Sequence, residues 1–425
     1  MAEAVHNALE SGLEYAVLPL PERHLVSFQL RFLVGTADEP AEFLGLARLL
    51  EETLDKGTQS RTGRELADAF DSIGAGRQSG TGRETMTFTC TVLPQHFDRA
   101  MELHAEFLRQ PTLSDDAVAV NTQLARQELI ALEDDAHGLM EKLLARQAYG
   151  SILGRHPLGE HETLGRIKRG HLESFWKERF HSGRMMAAVA GAVEPADVAH
   201  ILAKYFDGLG SPRRAGRDPF SLEFSGRTAH YDKNLEQEQI AVCWPGVDAI
   251  HDDFPIQQVT LGILSGGMSG RLFTEVREKR GLVYWVGAWQ ETPRGAGMMF
   301  LGASTTPERC DQTYTTLLRE VDRLAEDLTE DELERAITGI VASQETRGDT
   351  TRARCAELAN DLFFFGRPVP VEEKLAKVQR VSIADIRRYL DEHPRDQLCV
   401  ATLGPRALGT GIEKNVPPGF AKVAR

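Results

Sequence analysis

The residues with chemistry to offer begin at Arg48, Glu51 and Glu52, inside the run Gly45-Leu46-Ala47-Arg48-Leu49-Leu50-Glu51-Glu52. On a helix, residues three and four apart share a face with Cβ atoms roughly 5–6 Å apart, so these three side chains point into one space. With His at the first and fifth positions, two imidazoles one turn apart would grip a metal ion while the Glu activated a bound water. Here Arg48 and Glu52 stand at those positions. A guanidinium keeps its proton and has no lone pair for a metal. Arg48 and Glu52 have instead the spacing of an intrahelical ion pair, and taken alone R-x-x-E-E is an ordinary surface-helix sequence.

The flanking segments say more. Val34-Gly35-Thr36-Ala37-Asp38-Glu39-Pro40, Gly45-Leu46-Ala47 and Lys56-Gly57-Thr58 resemble the frame that surrounds H-x-x-E-H in the pitrilysin/insulinase-type metallopeptidases, the family of mitochondrial processing peptidase. In that family a third zinc ligand, a Glu, lies on a second helix, and the matching residue is Glu128, 76 residues past Glu52 (128 − 52 = 76). The resemblance thus makes Glu51 the counterpart of the general base and Glu128 that of the third ligand, with Arg48 and Glu52 in place of the two nitrogen ligands. A second matching stretch, Gly266-Gly267-Met268-Ser269-Gly270-Arg271-Leu272-Phe273 through Arg277 to Tyr284, is similar to the family's glycine-rich loop and helix. There, an Arg and a Tyr seven residues apart hold the substrate and stabilise the oxyanion, which implies substrate contact near Gly266 and Gly267 and those roles for Arg277 and Tyr284. Positioned donors aimed at developing negative charge are a large part of catalysis in acyl transfer. The resemblance runs from about residue 12 to about residue 405.

Paired subunits of such enzymes can divide the work, one carrying H-x-x-E-H and the other having lost the zinc site. The resemblance therefore implies a zinc-less subunit of a heterodimeric metallopeptidase, with no zinc or other cofactor on this chain, zinc on a homologous H-x-x-E-H-bearing partner, a peptide substrate, and no peptidase activity from this chain alone. A non-catalytic peptide-binding or scaffold protein on the same fold is the alternative, binding extended peptides by strand addition. A third reading, hydrolysis by Glu51 and Glu128 with a hard oxygen-seeking ion, meets the positive charge of Arg48 in the same pocket.

Composition sets bounds. At 425 residues and 41% hydrophobic content, the chain has room for two or three domains with buried cores. A net charge of −14 argues against phosphate-driven nucleic-acid binding. The N-terminal stretch lacks a charged start followed by an apolar run, and no segment reaches membrane-spanning length, so a cytoplasmic protein is expected. The five cysteines are scattered, without C-x-x-C, which suggests reduced, buried thiols; Cys90 sits in an alternating strand pattern and should face a core. His156 and His161 share a Pro-Gly loop that does not present them on one rigid face, and the glycine pairs lack the G-x-G-x-x-G pattern of dinucleotide sites.

These residues must be positioned by two tandem units of similar design, expected over 1–207 and 227–425 with a linker at 208–226. Ser114 and the Thr329/Glu332 capping box open long helical stretches ending near Gly150 and Gly366, and the landmarks keep offsets of 215 (328 − 113) and 216 (366 − 150). In this comparison the helix bearing Arg48 and Glu51 matches the one ahead of Gly266, and Glu128 falls near Ser343, so the second unit offers no substitute zinc site. Val26, Phe28, Leu30, Phe32 and Val34 alternate as in a sheet covered on one side. Helices with antiparallel strands, rather than repeated β-α-β units, indicate an α+β fold with an antiparallel-rich sheet in each unit and helices packed on one face.

Overall fold

The computed structural model describes residues 3–209, 219–222 and 224–409; most of the expected linker, 210–218 and 223, lies outside them. Eleven strands are present: β1 (Val5–Ala8), β2 (Glu14–Pro19), β3 (Val26–Phe32), β4 (Gly76–Thr81), β5 (Met86–Val92), β6 (Met185–Gly191), β7 (Arg227–Asp232), β8 (Glu238–Pro245), β9 (Val283–Glu291), β10 (Met298–Thr305) and β11 (Cys399–Gly404). The helices are α1 (Leu46–Leu54), α2 (Gly63–Ser72), α3 (Phe97–Arg109), α4 (Asp115–Asp134), α5 (Ala136–Leu153), α6 (His161–Leu164), α7 (Arg169–Arg179), α8 (Pro195–Phe206), α9 (Phe254–Ser265), α10 (Cys310–Asp327), α11 (Glu330–Arg347), α12 (Thr351–Phe365), α13 (Val371–Gln379) and α14 (Ile383–Glu392). Among the described residues no helix is long and apolar enough to cross a membrane.

The tandem design is visible in the strand orders, β1-β2-β6-β3-β5-β4 and β7-β11-β8-β10-β9. Leaving out β1, each sheet places its first strand beside its last, in parallel, and pairs every other neighbour antiparallel. Two α+β halves of one topology follow, each ending on an edge strand, β4 in one sheet and β9 in the other.

The compact units do not follow the sequence halves. One holds residues 1–131, 155–218 and 345–369; the other holds 132–154, 219–344 and 370–425. The two long helical stretches each break, after α4 at Asp135, whose side chain caps α5 through His137 N–H, and after α11, where the Thr350 side chain caps α12. The second helix of each pair then serves the other half's sheet.

This exchange corrects the expectation for β3. All seven of its residues are buried, not one face alone, because α12 covers the side that its polar residues would have offered to water. Arg31 donates to Ala359 O at 3.2 Å and Asn360 Oδ1 at 2.8 Å, with its guanidinium 5.4 Å from the Phe363 ring. Around it, Ala16, Met186, Ala188 and Ala190 pack on Cys355, Leu358, Ala359 and Leu362. Burial lowers the Arg31 pKa to about 10, so it stays charged at neutral pH. On the opposite face Cys90 is fully buried, and all five cysteines are buried thiols.

Candidate functional site

In the first compact unit, α1 is set at its N-terminus by Gly45 and Glu39. Gly45 takes a left-handed φ of 96° at the N-terminus of α1, where a Cβ would come within 2.9 Å of Leu164 Cδ2. The buried Glu39 carboxylate accepts N–H bonds from Gly45 at 3.1 Å and Ala47 at 2.8 Å, satisfying donors that the first turn leaves open. Burial pushes the Glu39 carboxyl up to about 8, against the opposing pull of those N–H groups and of Arg155. The far end of α1 is tied to α4 by Asn121 Nδ2, which donates to Glu52 O at 3.0 Å and Thr53 Oγ1 at 3.1 Å. The helix is no ordinary surface helix, for seven of its nine residues are buried, Glu51 included.

These two tethers bring Arg48, Glu51, Glu52 and Glu128 together. Arg48 Nη2 lies 2.8 Å from Glu128 Oε2 and 3.4 Å from Glu52 Oε1, so the pairing expected within the helix extends to α4. Leu124, Leu158 and Leu164 complete a pocket of about 40 Å³, little more than space for a water or two. Glu51 faces edge strand β4: Thr81 Oγ1 donates to it at 3.2 Å, Ser79 adds a second hydrogen bond, and burial raises its pKa while the neighbouring Glu52 charge adds to the rise. Zinc does not fit this arrangement. Both imidazoles are absent, and a guanidinium already sits on the Glu128 oxygen that an ion would need.

In the other compact unit, the glycine-rich segment leaves α9 through Gly266 and Gly267, the latter at φ 120°, a conformation that L side chains rarely adopt. Arg271 anchors the next turn. It is 6% exposed and makes paired hydrogen bonds to Glu332, at 2.7 and 2.8 Å, plus one to the Asp327 carboxylate at 2.8 Å and one to the Asp327 backbone oxygen at 3.3 Å. Glu332 also accepts from Thr329 N at 3.1 Å, forming the capping box of α11, so one carboxylate starts a helix and holds the loop. A π-helical turn over Phe273–Glu278 follows, with Leu272 and Val276 fully buried and Arg277 exposed.

The chain reverses at Gly281, φ 59°, and enters edge strand β9 with Tyr284. The Arg277 guanidinium carbon is 5.0 Å from the Phe273 ring centroid and 5.4 Å from that of Tyr284. Tyr284 is 75% exposed. The structure therefore places Arg277 and Tyr284 side by side with the phenol in solvent, where its hydroxyl can donate to an arriving group. Nothing local in the sequence marked the π turn or the Arg271 clamp; two acidic residues sixty positions away were the partners.

The family model described as Insulinase (Peptidase family M16) matches residues 16–160, and that described as Peptidase M16 inactive domain matches residues 166–340. An "uncharacterized zinc protease" of Rickettsia felis is 26% identical over 402 residues, covering 94% of this chain and 97% of the relative. The "uncharacterized zinc protease YmxG" of Bacillus subtilis is 23% identical, covering 93% and 97%. Among solved structures, a peptidase M16 inactive domain from Pseudomonas fluorescens superposes with TM-score 0.88 at 20% identity, covering 97% of this chain and 100% of that one. A protease from Helicobacter pylori gives TM-score 0.87 at 17% identity, covering 95% and 100%. With the two family models lying one after the other along most of a fold of two like halves, the chain belongs to the insulinase (M16) metallopeptidase family.

Proposed function

We propose that this chain is the zinc-less subunit of a two-chain zinc metallopeptidase and supplies Arg277 and Tyr284 to peptide hydrolysis at the zinc of a partner bearing H-x-x-E-H. One observation supports the first part: Arg48, which stands where the family's H-x-x-E-H has its first histidine, puts its guanidinium on Glu128 and Glu52. The second part is supported by the Arg277–Tyr284 pair, which sets a mostly exposed phenol beside a guanidinium 5.4 Å from its ring centroid. In that role, Tyr284 donates its O–H to the oxygen of the scissile carbonyl as it gains charge, and Arg277 holds a substrate carbonyl or carboxylate. The names of the relatives as zinc proteases agree with a peptidase setting.

The test is to purify the chain with whatever co-elutes from its host and assay chelator-sensitive peptide cleavage. The complex with an H-x-x-E-H partner should be active and the chain alone inert. Tyr284→Phe should lower the activity of the complex by roughly 10²-fold, the order lost with one oxyanion donor, while leaving its thermal unfolding unchanged because the ring is mostly exposed. Full activity in that variant would remove the catalytic role.

A second reading is favoured by a separate feature. Among the described residues strand β4 pairs with β5 alone, so its other edge offers backbone donors and acceptors beside the zinc-less pocket, as a peptide-binding scaffold would require. A homodimer that binds extended peptides, cleaves none and never co-purifies with a peptidase would establish that alternative.

A further inference from the structure

Asp253 stands at the N-cap of α9, where an aspartate usually turns its carboxylate onto the helix's first N–H groups. It does not do so here. Its carboxylate, on a residue 7% exposed, points to the end of α14. Oδ1 accepts from Arg388 Nη2 at 2.6 Å, and Oδ2 lies 3.4 Å from His393 Nε2. His251, two residues earlier, completes a group in which one ligand atom from each of His251, Asp253 and His393 lies within 4.8 Å of the others. Among the described residues this is the group of histidine, cysteine and acidic side chains close enough to hold an ion.

The separations are informative. Around a tetrahedral ion with bonds of about 2.0–2.1 Å, neighbouring ligand atoms lie about 3.4 Å apart. The His393 Nε2 to Asp253 Oδ2 separation already equals that edge, whereas as a hydrogen bond it is long. His251 is exposed and its ring stands at 81° to that of His393, with centroids 5.7 Å apart, so two imidazoles face one carboxylate from different directions. With the three ligand atoms within 4.8 Å of one another, closing the site to that edge asks His251 to move by at most about 1.4 Å (4.8 − 3.4). Its Nδ1 accepts from Asp253 N–H at 3.1 Å, so the ion competes with one neutral hydrogen bond or meets the other ring nitrogen.

The surroundings supply the rest. Arg388 holds Oδ1 through Nη2 at 2.6 Å and reaches Oδ2 through Nη1 only at 3.3 Å, so the shorter bond orients the carboxylate and an ion at Oδ2 displaces only the longer one. Its own charge is shared with Glu392, 2.6 Å from Nη1. The His393 ring leans on Tyr389, centroids 4.7 Å apart, and Tyr389 is 2% exposed with its hydroxyl on Gln257 of α9. Two imidazoles and one carboxylate suit a borderline ion such as Zn²⁺ better than Ca²⁺ or Mg²⁺, which seek oxygen.

We propose that His251, Asp253 and His393 form a binding site for a divalent transition-metal ion of the zinc type, with water as fourth ligand, fastening the start of α9 to the end of α14. The site belongs to the compact unit that holds the glycine-rich segment, not to the one that holds Arg48, and it stands or falls independently of the peptidase reading.

The experiment is a zinc titration of the chelator-treated full-length chain against a chromophoric competitor, with thermal unfolding in parallel. One equivalent is expected, with a rise in Tm. His251→Ala and His393→Gln should each weaken binding by at least about 10-fold and abolish the Tm rise, whereas Glu128→Gln should leave both unchanged. Circular dichroism of His251→Ala, an exposed position, shows that its fold is intact. The proposal is overturned by the absence of zinc binding, or by an equivalent that survives both histidine substitutions or follows Glu128.

Discussion

Arg48 and Glu39 show two ways in which a single charge organises α1. Arg48 gathers the carboxylates of Glu52 and Glu128 that would otherwise repel each other beside the buried Glu51, and so a fixed cation keeps the acidic pocket together without a metal. Glu39 acts from the other end and brings a pH dependence with it. Its folded pKa is raised to about 8, against the ordinary 4.5, so the stability it contributes is complete below pH 4.5 and is lost as pH rises toward 8. His104 has the opposite sign. Burial among Phe28, Phe70 and Phe107 lowers its pKa to about 3, and its contribution is present above pH 6.5 and lost as pH falls toward 3. Between pH 6.5 and 8 only the Glu39 effect of this pair operates. Glu39→Gln, which keeps an acceptor oxygen for Gly45 and Ala47, should flatten the decline of the urea midpoint over that interval; an unchanged slope would mean that another group titrates.

At the scale of elements, Glu332 is the point where helix start and loop anchor coincide. Thr329→Ala removes the hydroxyl of the α11 cap and should cost about 1 kcal/mol. Glu332→Ala removes the same cap and also strips the buried Arg271 of its paired carboxylate, so it should cost clearly more and also displace the segment carrying Arg277. Equal urea midpoints for the two variants would show that the Arg271 clamp contributes nothing. The capping box itself was legible in the sequence, because Thr and Glu three apart before an amphipathic run are a local pattern. So were the alternation of β3, the glycine-rich segment and the missing imidazoles. The clamp, the π turn and the Glu39 cap were not, since each depends on a partner brought near by the fold. Ser27, Gln29 and Arg31 misled for the same reason: their polarity reads as a solvent face, and only α12, more than 300 residues along the chain, shows that it is buried.

At the scale of the molecule, the duplication is plain in the shared strand order, yet the halves are not self-sufficient. Residues 1–209 alone lack α12, and the face formed by Ala16, Met186, Ala188 and Ala190 would stand open to water around an unpartnered Arg31. Expressed alone, that fragment should bind a hydrophobic dye and unfold without a sharp transition, and a peptide of residues 345–369 added in trans should suppress the dye signal. A sharply melting, dye-silent fragment would contradict the reading of α12 as part of that unit. The exchange also has a consequence for birth on the ribosome. The first sheet cannot be closed on both faces until Val369 has emerged, which at roughly 5–20 residues per second comes on the order of ten seconds or more after the sheet's last strand has been made. During that wait a half-covered sheet is exposed to solvent, so the yield of this protein should depend on translation speed and on chaperone supply more than its final stability alone would suggest.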